Sequence, residues 1–225
     1  MYGLAVLCFL LLESGVCGFG ILRGESLTHQ VITERAILNI TVQVCRSLAL
    51  SEGRDFSFPP QPFAASSVAA ACGASKSSKS FIKTIQHIKT KNWQTDILYA
   101  LSAHRHCDNE KLIEGKKLIT DGLSVIKASN NQQNFVSATS SLGRILHTLQ
   151  DFYSHSNWVE IGSKFPNSNL IRGNAHVGNI AAKTRATCRS CSGDDCRNNI
   201  LKDILDNKIL TSGYFSQNPF SKPSG

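Results

Sequence analysis

Apolar residues recur at intervals of three or four along most of this chain, which is the period of amphipathic helices. No stretch shows the convincing alternation of apolar and polar residues that marks a half-buried strand. The first helix is predicted over Ser26–Leu50, with Thr28 as its N-terminal cap. Five apolar residues at intervals of four are expected to form its buried face: Ile32, Ala36, Ile40, Val44 and Leu48.

The rest of the pattern predicts an all-α fold, a helical bundle. Helices are expected over the ranges Ser80–Lys91, Asn109–Ala128, Gln132–His155, 176–186 and Cys196–Lys208. Loops are expected where proline, glycine and small residues collect, over Gly53–Ala74 and Gly162–Gly173. The segment Trp93–Asp108 fits neither pattern and stays ambiguous.

Residues 1–18 have the pattern of a signal peptide, with an unbroken apolar run over Leu4–Leu12 followed by mostly small residues. The run lacks a preceding Lys or Arg, so a buried N-terminal helix is the alternative. No other run approaches the roughly 20 apolar residues of a membrane span. We therefore expect a secreted protein without a transmembrane span. The helical domain is expected over 19–212. Residues 213–225 are expected to form a loop tail, which suggests a truncated product.

The chain is basic, with a formal net charge of +8 at pH 7. This surplus favours anionic partners, such as phospholipid headgroups or another anionic extracellular ligand. The densest basic region, Lys76–Lys91, disperses its lysines among Ser, Thr and apolar residues, which is typical of a solvated face. No specific nucleic-acid recognition is evident.

Eight cysteines become six if residues 1–18 are removed. In an exported chain this even number predicts disulfide bonds. The cluster Cys188-x2-Cys191-x4-Cys196 is of zinc-ligand type, but local disulfide bonding is favoured in an oxidising compartment. The sequence Asn39-Ile-Thr41 is an N-glycosylation sequon and predicts a glycoprotein.

The most informative motif is His147-x3-Asp151-x3-His155. Residues four apart lie along one side of a helix, so two imidazoles and a carboxylate point in broadly the same direction. The two histidines are roughly 12 Å apart along the helix axis, which is too far for one shared ion. The spacing instead suits a carboxylate that bridges two metal ions.

Other segments contain further residues of metal-ligand type: His29, Asp96, and either His104 or His106. Ligands from separate helices are typical of a site in the core of a bundle. Zinc in such a site polarises an ester and activates water for hydrolysis. The alternative is that these histidines are structural and simply form hydrogen bonds in the core.

Four motifs follow one another along the chain: Leu27–Gln30, Leu146–Glu160, Thr187–Cys191 and Leu210–Phe215. They resemble the N-terminal domain of the von Willebrand factor A domain-containing protein 7 family, over roughly residues 25 to 225. That domain is similar to the fungal Het-C group and, more distantly, to zinc-dependent phospholipase C and the single-strand zinc nucleases. The resemblance implies a helical bundle of that type, with two or three zinc ions if the site is intact.

The resemblance also implies roles for individual residues. Asp151 matches the carboxylate that bridges two zincs and so takes part in catalysis where catalysis occurs. The metal ligands implied are His29, Asp96, His106, His147, Asp151 and His155, with His106 fitting better than His104. His176 is a further candidate, but Ile180 stands where the phospholipases have a glutamate ligand.

Two functions follow from this comparison. The favoured one is a secreted extracellular module with a partial zinc site that serves interaction or adhesion rather than catalysis. The alternative is a zinc-dependent phosphodiester hydrolase of the phospholipase C or nuclease type.

Overall fold

The computed structural model describes residues 27–190 and 198–213, and within them the all-α prediction is confirmed. Isolated β-bridges are the only β-structure in this part of the chain. Short 3₁₀ turns lie at Ser75–Ser77, Ala103–Arg105 and Ser168–Ile171. The α-helices are α1 His29–Ser51, α2 Ala65–Ala71, α3 Ser78–Leu98, α4 Leu112–Asn131, α5 Phe135–His155 and α6 Lys202–Asp206.

Helix α5 lies at the centre of the bundle, where it contacts α4, α3 and α1. Gly143 of α5 lets α3 come very close, because a Cβ atom there would lie only 2.4 Å from the carbonyl oxygen of Ile88. One apolar cluster forms between α1, α2 and α3 around Val42 and Ile85. Another forms around Phe152, near the C-terminal end of α5. A polar layer on the inner faces of α1, α3 and α5 accompanies these apolar clusters.

The face predicted for α1 is wrong. Ile40, Val44 and Leu48 are 61%, 50% and 53% exposed, whereas Leu38 and Val42 are buried. Helix α1 contains two apolar rows, and periodicity alone could not tell which row meets the core. The inner row packs against α2 and α3.

Several predicted boundaries also differ. Helix α3 is longer than expected and ends at Leu98, so Asp96 lies on a helix. Helix α2 lies inside the predicted loop Gly53–Ala74. Residues 176–186 are not helical, because Ile180 instead forms a parallel bridge with Leu210. Only Lys202–Asp206 is helical within the described part of Cys196–Lys208.

The cysteines only partly follow the disulfide prediction. Cys45 of α1 is bonded to Cys72, at the end of α2. Cys107 is a buried free thiol, because no other cysteine of the described chain reaches it. Its Sγ donates a hydrogen bond to the carbonyl oxygen of Thr148. Cys188 is also free in the structure, and its expected partners Cys191 and Cys196 lie outside the described residues.

The predicted signal peptide and nearly all of the predicted tail lie outside the described residues. Among the helices that are described, none combines the length and the apolar character needed to cross a membrane.

Candidate metal centre

Helix α5 places His147 and Asp151 side by side in the core. Both side chains are almost fully buried, and His147 Nε2 lies 2.9 Å from Asp151 Oδ2. The helix begins after Asn134, whose side chain accepts a hydrogen bond from the backbone N–H of Ser137. The structure thus brings the first two members of the motif together as the four-residue spacing predicts.

The C-terminal part of α3 and the segment after it supply the next side chains of the cluster. His106 Nδ1 lies 2.9 Å from Asp151 Oδ2, and Asp96 Oδ1 lies 3.4 Å from His147 Nε2. His104 points elsewhere and contacts the hydroxyl of Ser102. Of the two candidate histidines, His106 lies in the cluster and His104 does not; its role as a metal ligand stays a prediction.

His29 completes this arrangement from the first residue of α1. The Thr28 side chain caps the helix and accepts from the N–H of Val31. This start of the helix turns His29 inward, where its Nε2 lies 3.3 Å from Asp151 Oδ1. The two oxygens of Asp151 thus face different imidazoles, Oδ1 that of His29 and Oδ2 those of His106 and His147.

Each of these three histidines has its second ring nitrogen bonded to a protein oxygen. His106 Nε2 donates to the carbonyl oxygen of Tyr99 at 3.1 Å. His29 Nδ1 donates to Gln150 Oε1 at 2.7 Å, and His147 Nδ1 donates to Asn92 Oδ1 at 3.3 Å. Each of these bonds uses the N–H of one ring nitrogen. The other nitrogen, which faces Asp151, can then lose its proton and bind a metal, as in histidines of known metal sites.

The amide groups that orient the histidines are themselves fixed by hydrogen bonds. Asn92 Nδ2 donates to Thr33 Oγ1 and to Gln150 Oε1, at 3.0 and 3.1 Å. Gln150 Nε2 also donates to Thr33 Oγ1, at 3.0 Å. In this network the amide oxygens of Asn92 and Gln150 face the N–H groups of His147 and His29, and so they help to orient both imidazole rings.

The ligand atoms have the spacing that a metal ion requires. Ligands of a tetrahedral zinc with bonds of about 2.0 Å lie roughly 3.3 Å from one another. The His106, His147 and Asp151 atoms are 2.9–3.1 Å apart, and His147 to Asp96 is 3.4 Å. His29, Asp96 and His147 form a second compact group. Within the described part of the chain, Asp96 Oδ2 is buried without a hydrogen-bond partner, as expected for an atom that would bind a cation.

The pKa values of the cluster residues are shifted by burial and by the charges of their neighbours in the cluster. Burial would raise the pKa of Asp151, but the hydrogen bonds and charges of His106 and His147 hold it well below its usual range. Burial lowers the pKa of His29 and His106, and the bond and charge of Asp151 outweigh it, so both pKa values are raised. Burial is also the main reason that the pKa of Asp96 is raised. The buried carboxylates therefore demand positive charge, from protons or from a metal.

His155 lies at the edge of this cluster. Its Nε2 is 3.9 Å from Asp151 Oδ1, and its Nδ1 is 2.9 Å from Asp108 Oδ1. Burial lowers the pKa of His155, but the bond to Asp108 and the charge of Asp151 raise it to about 9. Asp108 thus orients the imidazole of His155.

A strained loop holds Asp108 in place. Cys107, Asn109 and Glu110 all have positive φ angles near 55°, which is uncommon for residues other than glycine. Glu110 is buried, and it accepts from the Thr211 hydroxyl and from the Ser212 N–H. Backbone strain of this kind persists only where the surrounding structure enforces it, and it concentrates at functional sites.

Sequence reasoning thus found six members of the cluster and missed the groups that orient them. The sequence could have pointed to Asn92, because this polar residue continues the buried apolar row of Ile85 and Ile88 on the same helix face. No sequence pattern could have pointed to the backbone carbonyl group of Tyr99. His176, the further candidate, is exposed, unlike the buried core of the cluster.

Fold and site together define a helical domain whose core contains a cluster of His and Asp side chains that could hold a metal ion. A family model described as the VWA7 N-terminal domain matches residues 63–225, and the chain belongs to this family. Similar relatives are the von Willebrand factor A domain-containing protein 7 of Mus musculus, at 32% identity, and that of Homo sapiens, at 33% identity. Each alignment covers 210 residues, or 89% of this chain.

The chain spans only 23% of the Mus musculus relative and 22% of the Homo sapiens relative. No solved structure matches the chain. The bundle is confirmed as all-α, and its likeness to phospholipase C stays a prediction.

Proposed function

We propose that this domain is a zinc-binding helical module of an exported protein, and that its metal centre serves structure and interaction rather than catalysis. The observation that carries the proposal is the common orientation of His29, His106 and His147. Each directs one nitrogen at Asp151 and gives the other to a protein acceptor.

Asp96, His106, His147 and Asp151 Oδ2 would hold one ion. His29 and Asp151 would contribute to holding a second ion, so the residues fit a site for two ions. Bound zinc would supply positive charge to two buried carboxylates and, at an open coordination position, would lower the pKa of a water ligand to about 7. The chain's own residues would orient these ligands and exclude bulk water.

The burial of the site favours a role without catalysis. Structural zinc sites are closed by four protein ligands, whereas catalytic sites keep a position open. His147 and Asp151 are 0% and 1% exposed, and Asp96 is the most exposed of the four ligands at 16%. His176 does not extend the cluster, and Ile180 cannot supply the carboxylate that the phospholipases have.

The alternative is a phosphodiester hydrolase, and one observation favours it. Residues 97–104, which join the Asp96 helix to the His106 loop, line an open hollow of about 590 Å³ with a mainly apolar surface. Its volume lies in the 300–1,000 Å³ range of ligand pockets, but its lining contains none of the proposed metal ligands. In such an enzyme His155, held by Asp108 at the partly exposed edge of the cluster, is the group placed to hold or release a proton.

Export and an anionic partner complete the proposal. The Cys45–Cys72 disulfide supports an oxidising compartment. The net charge of +8 favours an anionic phospholipid or another anionic extracellular ligand. The relatives are named for a von Willebrand factor A domain, beside which this module would act.

The test is the metal content of the secreted, purified chain by native mass spectrometry. We expect zinc in the wild type, its loss in His106→Ala, and its retention in the matched control His104→Ala. Equal zinc content in both variants, or a folded wild type that binds no zinc, would refute the proposed centre.

Activity and binding then separate the two functions. The zinc-loaded chain would be assayed with bis(p-nitrophenyl) phosphate and with phosphatidylcholine vesicles, and its binding measured on vesicles that contain phosphatidylserine. Turnover that His155→Ala abolishes would favour the hydrolase. Salt-sensitive binding to anionic vesicles without turnover would favour the interaction module.

A further inference from the structure

Helix α1 presents an apolar row to solvent. Ile40, Val44 and Leu48 follow one another at intervals of four and are each at least half exposed. Single exposed apolar residues are ordinary, but a contiguous row marks a surface that something covers. In the described part of the chain, the buried face of α1 is the opposite one, built on Leu38 and Val42.

The sequon Asn39-Ile-Thr41 lies in the same stretch of α1. Asn39 is exposed on the flank of the row, directly before Ile40, about 100° around the helix. Its Nδ2 donates to the Arg35 carbonyl oxygen at 2.7 Å, so the amide lies along the helix surface. Only one of its two N–H groups is needed for that bond.

The Cys45–Cys72 disulfide links this helix to oxidising conditions. It is formed by a residue of the same helix, less than two turns from Asn39. Disulfides form and persist in the secretory compartment, and glycans are attached to asparagine sequons there. The inference therefore rests on the export part of the proposed function, but not on the metal centre.

We propose that Asn39 carries an N-linked glycan and that this glycan covers the nearer part of the row, Ile40 and Val44. Asn39 Nδ2 would form a bond to C1 of the first N-acetylglucosamine of a lipid-pyrophosphate-linked oligosaccharide. The bond from C1 to the pyrophosphate oxygen breaks, the lipid pyrophosphate leaves, and Nδ2 loses one proton.

The order of events follows from the folded helix. The Thr41 hydroxyl donates to the Ile37 carbonyl oxygen at 2.7 Å once α1 has formed. The sequon is therefore free to react before the helix forms, during export of the chain. After folding, the C–H faces of the sugar rings lie against the aliphatic side chains, while the sugar hydroxyls face water.

The first experiment tests the modification. The chain is produced by secretion from animal cells, and its intact mass is measured before and after treatment with a peptide N-glycosidase. We expect one glycan on the wild type and on Thr41→Ser, which keeps the sequon. We expect none on Thr41→Ala or Asn39→Gln. An unmodified wild type whose Cys45–Cys72 bond has formed would overturn the proposal.

The second experiment tests the cover. Removal of the glycan from the folded chain should raise the fluorescence of an apolar-surface dye by roughly two-fold or more. The variant Ile40→Ser/Val44→Ser should show no such rise. An unchanged wild-type signal would overturn the covering role. A glycosylated chain that is already dimeric by light scattering, and that the double variant makes monomeric, would assign the row to a second copy instead.

The zinc content of the same samples distinguishes a failure of the metal-centre proposal from a failure of the glycan proposal. Loss of the glycan should leave the zinc content unchanged, because Asn39 lies on the outside of α1. A chain with a glycan and without zinc would refute only the metal centre. A chain with zinc and without a glycan would refute only the glycan.

Discussion

Gly143→Ala tests how the close contact between α3 and α5 controls the metal centre. A Cβ atom at this position would lie 2.4 Å from the Ile88 carbonyl oxygen, 2.7 Å from Lys91 Cβ and 3.1 Å from the Asn92 backbone nitrogen. Ordinary carbon contacts are 3.5–4.0 Å. Two of these three atoms belong to the backbone, so the clash can be relieved only by moving α3 away from α5.

The expected cost combines two opposing effects. Alanine is favoured over glycine in a helix interior by about 0.8–1.0 kcal/mol. Overpacking of a well-packed core costs about 1–3 kcal/mol, and the upper part of that range applies here because backbone atoms must move. We therefore expect a net loss of about 1–2 kcal/mol in the free energy of unfolding, or roughly 2–8 °C in Tm.

The substitution should also weaken the metal site. Asn92 accepts from His147 Nδ1 at 3.3 Å, which is already near the limit of a hydrogen bond. A separation of the helices by about 1 Å would break this bond, and loss of such an orienting group lowers metal affinity by about 10–100-fold. Stability is measured by urea unfolding of the metal-free chain, and affinity by competition with a zinc chelator.

Gly173→Ala is the matched control, because a Cβ atom at Gly173 would meet nothing within 4 Å. It should be neutral or slightly stabilising, since alanine restricts the unfolded chain. The reasoning is refuted if Gly143→Ala is as stable as Gly173→Ala and binds zinc with wild-type affinity. Helices α3 and α5 would then lie farther apart than described.

Three further predictions concern other parts of the molecule. Cys45→Ala/Cys72→Ala should lower the free energy of unfolding by about 3.5 kcal/mol, from the loop entropy of a 27-residue separation, and urea unfolding with and without reductant checks this. Because the pKa of His155 is raised to about 9, its ion pair with Asp108 stabilises the metal-free chain fully below about pH 6.5 and is lost as pH rises to 9. Asp108→Asn should flatten this decline in urea unfolding, and an equal decline in both proteins would contradict it. Zinc binding at pH 7 should release protons, because the raised pKa values of cluster histidines leave them partly protonated without metal. Calorimetry in buffers of different ionisation enthalpy measures this release, and buffer-independent heats would rule it out.

The part of the site that the sequence predicts is the part with helical periodicity. His147 and Asp151 are four residues apart on one helix, so their common direction follows from helix geometry alone. His29 and Asp96 could be proposed as ligands from residue type. Their convergence depends on how α1 and α3 pack against α5, and no local pattern specifies that packing.

The errors have the same physical origin. Helix α1 has apolar residues on two sides, and the row chosen from the sequence is the exposed one. The row that contains Leu38 and Val42 is buried instead, because Val68 and Ile85 pack against it. Asp108 ends the segment that stayed ambiguous in the sequence, and a turn with left-handed residues places its carboxylate beside His155. Tertiary contacts decided both outcomes.

The polar layer beside α5 is the physical basis of the proposed cation site. Asn92, Gln150 and Thr33 are buried and satisfy one another, whereas Asp151 and Asp96 bring negative charge into the same layer. A buried carboxylate is costly unless it is paired. Protonated histidines can supply the missing charge only below their raised pKa values, and the buried Asp96 Oδ2 still lacks a partner. A metal ion would satisfy all these groups at once and would join α1, α3 and α5. Its removal should therefore loosen α1 first, because His29 and its neighbour Gln150 connect that helix to α5.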